Sequence, residues 1–182
     1  TYELNKFFFE SLKTKRPYTK VKMAISDDEK IAWSNYKSKW ISNIKSRNFA
    51  HILRNTSQAI VTTSKTIIKD NPRFNIRKNN KVIKYLPLII IDNYLNTPIK
   101  SRIINSLSKR RIIIFTSQNG KKAQYLKKIG CEIIIVKKNK NLQLDLKDIF
   151  KKIYELGIRD ILVESGGIFL TNLLKQKLVN EL

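Results

Sequence analysis

The stretch Asp160-Ile161-Leu162-Val163-Glu164-Ser165-Gly166-Gly167 and the apolar run Ile168-Phe169-Leu170 after it decide the fold of this chain. The pattern predicts a buried strand, a glycine turn and the first turn of a helix. A helix that begins after such a turn presents free backbone N–H groups and the positive end of its dipole, which favour a phosphate. The carboxylate of Glu164 follows the strand, where open α/β sheets build their ligand sites. An ordinary tight turn between a strand and a helix would have the same pattern. The rest of the sequence is therefore needed to distinguish a ligand site from such a turn.

Strand and helix patterns alternate through most of the chain. Apolar runs predict strands at residues 21–25, 59–63, 88–92, 111–116, 132–136 and 160–164. One helical pattern begins near Ser42, and three others cover residues 119–129, 146–156 and 168–177. Gly130 and Gly157 are suited to end the helices at 119–129 and 146–156. Strands of nearly continuous Ile, Val and Leu belong to sheets covered on both faces. The alternation predicts an α/β fold with a largely parallel sheet.

The remaining segments are interpreted as connections within a single domain of residues 1–182. Residues 1–17 have a short apolar patch and are interpreted as a lead-in segment. Residues 70–72, Asp-Asn-Pro, predict a turn because Asn before Pro avoids the helical region. The polar residues 78–84 are interpreted as a loop. Because the chain ends where another strand is expected, we interpret it as an excerpt of a longer protein.

Composition excludes several classes of protein. A hydrophobic content of 42% in 182 residues indicates a globular domain with a substantial core. The longest apolar runs have the length of a strand, so we expect no membrane partner, and the start lacks the pattern of a signal peptide. A single cysteine, Cys131, excludes an internal disulfide, and with a single histidine, His51, we expect no metal site. We therefore expect a cytoplasmic protein.

The chain is strongly basic, with 37 Lys and Arg against 14 Asp and Glu and a net charge of +23. Such a charge raises nucleic-acid binding as a hypothesis. The lysines, however, are spread along the whole chain, and Lys, Asn and Ile share A/T-rich codons, so a compositional bias also accounts for the charge. We expect no nucleic-acid partner, although the charge should attract anionic substrates.

A series of motifs resembles the reductase domain of the bacterial riboflavin-biosynthesis deaminase–reductase. Residues 23–30 stand where that family has a strand and Ser-Leu-Asp-Gly-Lys, and residues 38–42 resemble its Ser-x-Trp-Ile-Thr. Residues 59–66 follow, and then residues 70–77 resemble its Asp-Asp-Pro-x-Leu-Thr-Val-Arg. Near the end, residues 163–167 and 178–182 resemble Val-Glu-Gly-Gly and Leu-Val-Asp-Glu-Leu. The order and spacing agree across nearly the whole chain.

The resemblance implies a dihydrofolate-reductase-like three-layer fold with a mostly parallel central sheet, from which C-terminal strands are missing here. It implies NADPH-dependent reduction of 5-amino-6-(5-phosphoribosylamino)uracil to its ribitylamino product, with the hydride going to C1′ of the opened ribose. The sequence lacks the deaminase motifs His-x-Glu and Pro-Cys-x-x-Cys, so a separate deaminase has to supply this phosphorylated ribosylaminopyrimidine. A homodimer is expected by resemblance alone.

The resemblance also assigns residues to the two ligands. Residues expected to face the cofactor are Ala24, Trp40, Thr66, Asp70, Thr116, Gly166, Gly167, Ile168, Phe169, Leu170, Thr171 and Asn172. Residues expected to face the substrate are Ser38, Arg54, Phe74, Arg77 and Glu164. Arginine forks suit a sugar phosphate, and Glu164 can accept hydrogen bonds from uracil N–H groups or ribose hydroxyls. The catalytic acid is not assigned; Asp70 is a weak candidate, and His51 is interpreted as structural.

Two departures from the family pattern keep alternatives open. Glu29 stands where the family has glycine, and Asn71 replaces the second acidic residue before the proline. One alternative is another NADPH-dependent reductase of the same fold with a pterin or a different pyrimidine as substrate. The other is a basic, non-catalytic module that binds polyanions.

Overall fold

The computed structural model describes residues 5–23 and 44–182 of the chain. These residues form helices and strands in the order α1 (Lys6–Thr14), β1 (Tyr18–Val21), α2 (Ile44–Asn55), β2 (Ala59–Thr63), α3 (Ser64–Asp70), β3 (Asn75–Lys78), β4 (Lys81–Tyr85), β5 (Leu88–Ile91), β6 (Ile112–Thr116), α4 (Lys121–Lys128), β7 (Glu132–Ile135), α5 (Leu146–Glu155), β8 (Asp160–Val163) and α6 (Gly167–Lys175). A 3-10 helix, Ile104–Lys109, lies between β5 and β6.

Six strands of the described chain form one sheet in the order β1-β8-β2-β5-β6-β7. Each neighbouring pair is parallel, with Val61 of β2 opposite Val163 of β8 on one side and Ile89 of β5 on the other. The predicted α/β fold with a mostly parallel sheet is confirmed. Because all six strands run in one direction, their carboxyl ends meet at one edge, where such sheets bind ligands.

Side chains of the sheet alternate between two apolar clusters, one on each face. On one face Val61, Phe115 and Ile161 pack with residues of α5 and α6. On the other face Ile60 and Ile90 pack with residues of α3 and α4. The result is three layers, helices–sheet–helices, as the almost continuous apolar strands predict. None of the described helices has the length and apolarity that crossing a bilayer requires.

The ends of several elements differ from the sequence-based prediction. Strand β2 has the predicted bounds, whereas β1 ends at Val21 instead of beginning there, because Tyr18 to Val21 pair in register with β8. The lead-in segment contains helix α1, which carries no side-chain cap at Asn5 and leaves Phe8 and Phe9 42% and 44% exposed. A helix without a cap or a clean buried stripe gives little signal in the sequence.

The prediction of a loop at residues 78–84 is wrong, because these residues form most of an antiparallel hairpin of β3 and β4. Its two-residue turn, Asn79-Asn80, has both residues at positive φ, 49° and 59°. Asparagine tolerates this region, and tight hairpin turns require it. The residues of β4 before Tyr85 are exposed. The hairpin therefore lacks the apolar alternation by which a half-buried strand is recognised.

Cys131 provides a test of the packing between α4 and β7. The side chain is 5% exposed within the apolar cluster of α3 and α4, and burial raises the pKa of its thiol to about 11. We expect the native protein to resist alkylation by iodoacetamide at about pH 8, where a free thiol reacts, and to react once unfolded in urea. Labelling of the native protein at the rate of free cysteine would show that this part of the core is open.

Candidate active site

A buried ion pair between Arg54 and Glu164 stands at the carboxyl edge of the sheet. Arg54, in the last turn of α2, donates from Nε to Oε1 of Glu164 at 2.5 Å and from Nη2 to Oε2 at 2.8 Å. Its Nη1 donates to the carbonyl of Asn75 at 3.0 Å. The two side chains are only 15% and 10% exposed. Paired guanidinium donors on one carboxylate hold both groups in a single geometry.

The backbone of Glu164 is attached to the neighbouring strand. Its N–H donates to the carbonyl of Val61 at 2.9 Å, and its carbonyl accepts the hydroxyl proton of Thr62 at 2.8 Å. Thr62 is fully buried in β2. The carboxylate of Glu164 is therefore held in place directly after β8, where the sequence pattern predicts a ligand site.

Beside this ion pair lies a cleft of about 470 Å³, the arginine cleft, lined by His51, Arg54, Pro72, Arg73, Phe74, Asn75, Arg77 and Arg102. Three of the predicted substrate residues line it, and Glu164 is attached to it through Arg54. Ser38, the remaining one, lies outside the described residues. Four arginines around one cleft favour an anionic ligand with several oxygens, such as a phosphate.

Three basic side chains of this cleft, His51, Arg73 and Arg102, were not predicted from the sequence, and neither were Pro72 and Asn75. Arg73 occupies the variable position of the Asp-Asn-Pro-Arg-Phe motif, and Arg102 belongs to a loop between β5 and the 3-10 helix. Its position within this motif is the sequence signal that could have indicated Arg73 as a residue of the site. No local pattern marks Arg102, which folding brings to the cleft.

The side chain of Arg110 holds the base of the arginine cleft. Phe74 has a φ of 43°, in the left-handed region that a bulky side chain rarely adopts. Arg110 donates from Nη1 to the carbonyl of Phe74 at 3.0 Å, from Nη2 to the carbonyl of Arg73, and from Nε to Ser106 Oγ at 2.9 Å. Its guanidinium lies 4.9 Å from the centre of the Tyr85 ring. Burial lowers the pKa of Arg110 to about 10, so it remains charged at neutral pH.

His51 lies in the arginine cleft as a neutral imidazole with a defined orientation. Its Nδ1 accepts the backbone N–H of Arg77 at 3.3 Å. A neutral imidazole that accepts at Nδ1 carries its proton on Nε2. Desolvation first, and then the charges of Arg54 and Arg77, lower the pKa of His51. His51, interpreted as structural from the sequence, lines the cleft. Its hydrogen-bond partner Arg77 lies 26 positions away in the chain, so no local pattern indicates this placement.

The glycine turn after β8 leaves an open helix start next to Glu164. Gly166 precedes α6 with φ −75° and ψ 165°, and no side chain caps the helix. A Cβ at Gly166 would meet nothing within 4 Å. Neither backbone strain nor packing within the described chain requires glycine here, so the residue leaves space over the turn. An uncapped helix start beneath open space fits the phosphates of a nucleotide cofactor.

The other residues assigned to the cofactor along α6 have different exposures. Ile168 and Thr171 are exposed, Gly167 and Asn172 are half-buried. Leu170 is buried in the core and Phe169 packs against it, so these two can contact a ligand only through the backbone or the edge of a ring. Their placement agrees with a cofactor that contacts the first turn of the helix rather than its length.

Two further predicted cofactor residues lie at the carboxyl edge. The N–H of Thr66 donates to the side chain of Thr63, the cap of α3, at 3.4 Å. Thr116 ends β6, and its Oγ1 accepts the N–H of Gln118 at 3.2 Å. Asp70 is exposed at the last turn of α3 and does not line the arginine cleft. Ala24 and Trp40 lie outside the described residues.

Within the described ranges, no three His, Cys, Asp or Glu side chains converge on a metal position.

The neighbouring arginines 110 and 111 provide a matched test of the clamp on Phe74. We expect Arg110→Met to lower the free energy of unfolding by about 2–4 kcal/mol, because two buried carbonyls lose their donor. Arg111 forms an ion pair with Glu132 while 47% exposed, so Arg111→Met should cost about 1 kcal/mol or less. Urea unfolding measures both. An equal, small loss in the two variants would contradict the clamp.

The pKa of His51 can be read directly, because the chain has one histidine. We expect the imidazole C–H resonance in NMR to titrate with a midpoint below 6.5, the ordinary value. A lowered pKa favours the neutral form in the folded state, so stability should fall as the pH drops from 6.5 through that midpoint. A midpoint at or above 6.5 would mean that His51 does not lie between Arg54 and Arg77.

Curated relatives can be aligned with nearly the whole of this chain. The riboflavin biosynthesis protein RibD of Aquifex aeolicus is 35% identical over 180 residues, covering 96% of this chain and 47% of that protein. The 2,5-diamino-6-ribosylamino-4(3H)-pyrimidinone 5′-phosphate reductase of Archaeoglobus fulgidus is 26% identical over 176 residues, covering 92% of this chain and 78% of that protein. The chain thus spans about half the length of the RibD relatives that it matches.

A solved structure and a protein family match as well. The RibD of Acinetobacter baumannii superposes with a TM-score of 0.83 at 23% identity, covering 98% of this chain and 48% of that one, and so shares the fold. The family described as the RibD C-terminal domain matches residues 17–182. The match covers the strands, the ion pair and the glycine turn described above, and the chain belongs to the RibD C-terminal domain family.

Proposed function

We propose that this chain is an NADPH-dependent reductase of riboflavin biosynthesis. The proposed reaction converts 5-amino-6-(5-phosphoribosylamino)uracil to 5-amino-6-(5-phosphoribitylamino)uracil. The names of the relatives support the pathway and the class of reaction. The observation that carries the proposal is the adjacency of two sites: Glu164, paired with Arg54 in the arginine cleft, and Gly166, at the open start of α6, are two positions apart in the chain.

This adjacency suits the transfer of a hydride between two bound molecules. The uncapped start of α6 suits the cofactor phosphates, and the arginine cleft suits the substrate phosphate. Both open beside the carboxyl end of β8, so a nicotinamide and a ribose C1′ can meet there. Holding both reactants at one strand end replaces an encounter in solution with a fixed approach.

The residues of the cleft have separate roles in this proposal. The cofactor supplies the hydride, and one proton completes the reduction of the open-chain C1′–N double bond. The carboxylate of Glu164 keeps lone pairs that can accept from ribose hydroxyls or ring N–H groups while Arg54 neutralises its charge. Among the described lining residues, His51 with its proton on Nε2 can donate a hydrogen bond to a ligand, but its lowered pKa disfavours the imidazolium that would give up a proton. Water is therefore the proton donor that we propose, and Asp70 stays a weaker candidate because it is exposed.

The partners follow from the chemistry of the substrate. A deaminase, on the same protein or on another, has to supply the uracil form. We further propose a homodimer and a cytoplasmic location, where NADPH and the pathway intermediates are available. The charge of +23 would help to attract both anionic reactants.

An absorbance assay of NADPH oxidation tests the proposal on the full-length protein that carries this chain. It compares the deaminated pyrimidine, the 2,5-diamino pyrimidinone named for the Archaeoglobus relative, and dihydrofolate. We expect oxidation that depends on the deaminated pyrimidine and fails with dihydrofolate. Oxidation with the diamino pyrimidinone alone would assign the step before the deaminase instead. Folded protein that binds NADPH but oxidises it with neither pyrimidine would contradict the proposed function.

Glu164→Gln tests the role of the carboxylate, with Glu132→Gln as its matched control. Glu132 forms an exposed ion pair with Arg111, so its change should leave activity unaltered. We expect Glu164→Gln to lower kcat/KM for the pyrimidine about 100-fold, because Arg54 loses its counter-charge and one of the two acceptor oxygens becomes a donor. The KM for NADPH should change little. Full activity in a stable Glu164→Gln protein would contradict the assignment.

A further inference from the structure

We infer that His51 is a positioning residue: its imidazole holds strand β3 against helix α2 and so fixes where Arg77 enters the arginine cleft. The functional half of this inference rests on the proposed function, in which Arg77 faces the substrate. In this role His51 is a hydrogen-bond acceptor for the backbone, and it acts on the substrate through the residue that it positions.

The hairpin of β3 and β4 stands apart from the main sheet. Within the described residues, its two strands pair with each other and with none of the six parallel strands. A two-stranded hairpin alone is marginally stable in water, so contacts with the rest of the domain have to hold it. The buried side chain of Ile76 anchors one face in the apolar cluster of α3 and α4. The outer edge of β3, opposite β4, faces α2.

The N–H of Arg77 points out of this hairpin, away from β4. The two-residue turn pairs Lys78 with Lys81. In an antiparallel ladder, pairs that exchange hydrogen bonds alternate with pairs that do not, and the pair next to a two-residue turn is of the first kind. The following pair, Arg77 and Val82, is therefore of the second kind. The N–H of Arg77 thus needs an acceptor outside the ladder.

Side chains of α2 occupy the place that a neighbouring strand would have. Nδ1 of His51 accepts the N–H of Arg77 at 3.3 Å, and Nη1 of Arg54 donates to the carbonyl of Asn75 at 3.0 Å. His51 and Arg54 are three positions apart and so lie on one face of the helix. Together they supply one acceptor and one donor to the alternate outward groups of β3.

The bond to His51 lies where the ladder of the hairpin is irregular. The register of β3 and β4 shifts between Ile76 and Arg77. The side chain of Arg77 donates from Nε to Oδ1 of Asn75 at 3.1 Å, and Asn75 is buried. Asn75 thus orients the guanidinium, whereas His51 fixes the backbone that carries it. A shift of about 1 Å in that backbone is enough to weaken a ligand contact.

The bond depends on the protonation state of His51, because only a neutral imidazole can accept at Nδ1. Desolvation and then the charges of Arg54 and Arg77 lower the pKa of His51, against smaller opposite effects of Glu164 and of the Asn75 backbone. The acceptor is therefore present at neutral pH and is lost as the pH falls through the lowered midpoint. The charged groups around His51 are Arg54 on its own helix, Arg77 on β3, Glu164 after β8, and Arg73 and Arg102, which line the same cleft.

Two amide substitutions separate the roles of the two ring nitrogens. His51→Asn places an amide oxygen close to the position of Nδ1 and keeps an acceptor there, whereas His51→Gln reaches the position of Nε2 and removes that acceptor. Steady-state kinetics of the full-length protein with the deaminated pyrimidine compare them. We expect His51→Gln to raise the KM for the pyrimidine about tenfold, with kcat and the KM for NADPH nearly unchanged. His51→Asn should stay within about twofold of the wild type. The control Ile52→Gln, at an exposed position of the same helix, should do the same.

The pH profile adds a measurement that a purely structural role would not change. Protonation of His51 removes the acceptor in the wild type, whereas the amide in His51→Asn does not titrate. The ratio of the wild-type KM to the His51→Asn KM should therefore rise from about one at neutral pH to about ten below the midpoint that NMR gives for His51. Ionisation of the substrate phosphate changes both values alike. A constant ratio across that midpoint would overturn the inference.

Hydrogen exchange separates this inference from the proposed function, because it needs no turnover. With isotopically labelled arginine, NMR follows the amide of Arg77 in the full-length protein. We expect that amide to exchange at least about fivefold faster in His51→Gln than in the wild type and in His51→Asn. If neither pyrimidine is reduced and the exchange behaves in this way, the positioning of β3 by His51 stands and the proposed function fails.

Two outcomes of these measurements contradict the positioning role. Unchanged exchange of the Arg77 amide in His51→Gln would show that the imidazole does not hold β3. A tenfold higher KM in His51→Asn with a protected Arg77 amide would show that the ring acts by direct contact with the ligand.

Discussion

The ion pair of Arg54 with Glu164 is the constraint on which the rest of the site depends. It joins the last turn of α2 to the carboxyl end of β8, and through the Asn75 carbonyl to the start of β3. At exposures of 15% and 10%, either charge alone would be costly, so helix, hairpin and sheet have to assemble together. The arginine cleft is the space that this assembly leaves open.

Buried arginines in this protein act on the backbone as well as on acids. Arg110 donates hydrogen bonds to the carbonyls of Arg73 and Phe74. These bonds stabilise the left-handed backbone conformation of Phe74, which lines the cleft. Arg54 donates to the backbone carbonyl of Asn75 and so stabilises the start of β3. Backbone strain held by surrounding contacts is common where a ligand is bound. Part of the large positive charge thus has a defined place in the fold, whatever compositional bias contributed to it.

The sequence predicts the parallel sheet because its strands are continuous apolar runs, and it predicts the open helix start because glycines mark the turn after β8. It fails at the hairpin of β3 and β4, where exposed lysines hide the strand pattern. It also does not indicate that His51 and Arg102 line the cleft, because their partners Arg77 and Asn71 are distant in the chain. Contacts that only the fold creates leave no local pattern. The roles of Ala24, Ser38 and Trp40 stay predictions, since they lie outside the described residues.

Transfer of deuterium from NADPH labelled at C4 of the nicotinamide tests the central claim most directly, namely that a hydride passes to C1′ of a pyrimidine phosphate held at this sheet edge. The assay would use each of the two stereospecifically labelled cofactors with the deaminated pyrimidine, and mass spectrometry with NMR would locate the label. We expect one deuterium at C1′ of the ribitylamino product from one of the two cofactors. A product without deuterium at C1′, or cofactor oxidation without a ribitylamino product, would contradict it.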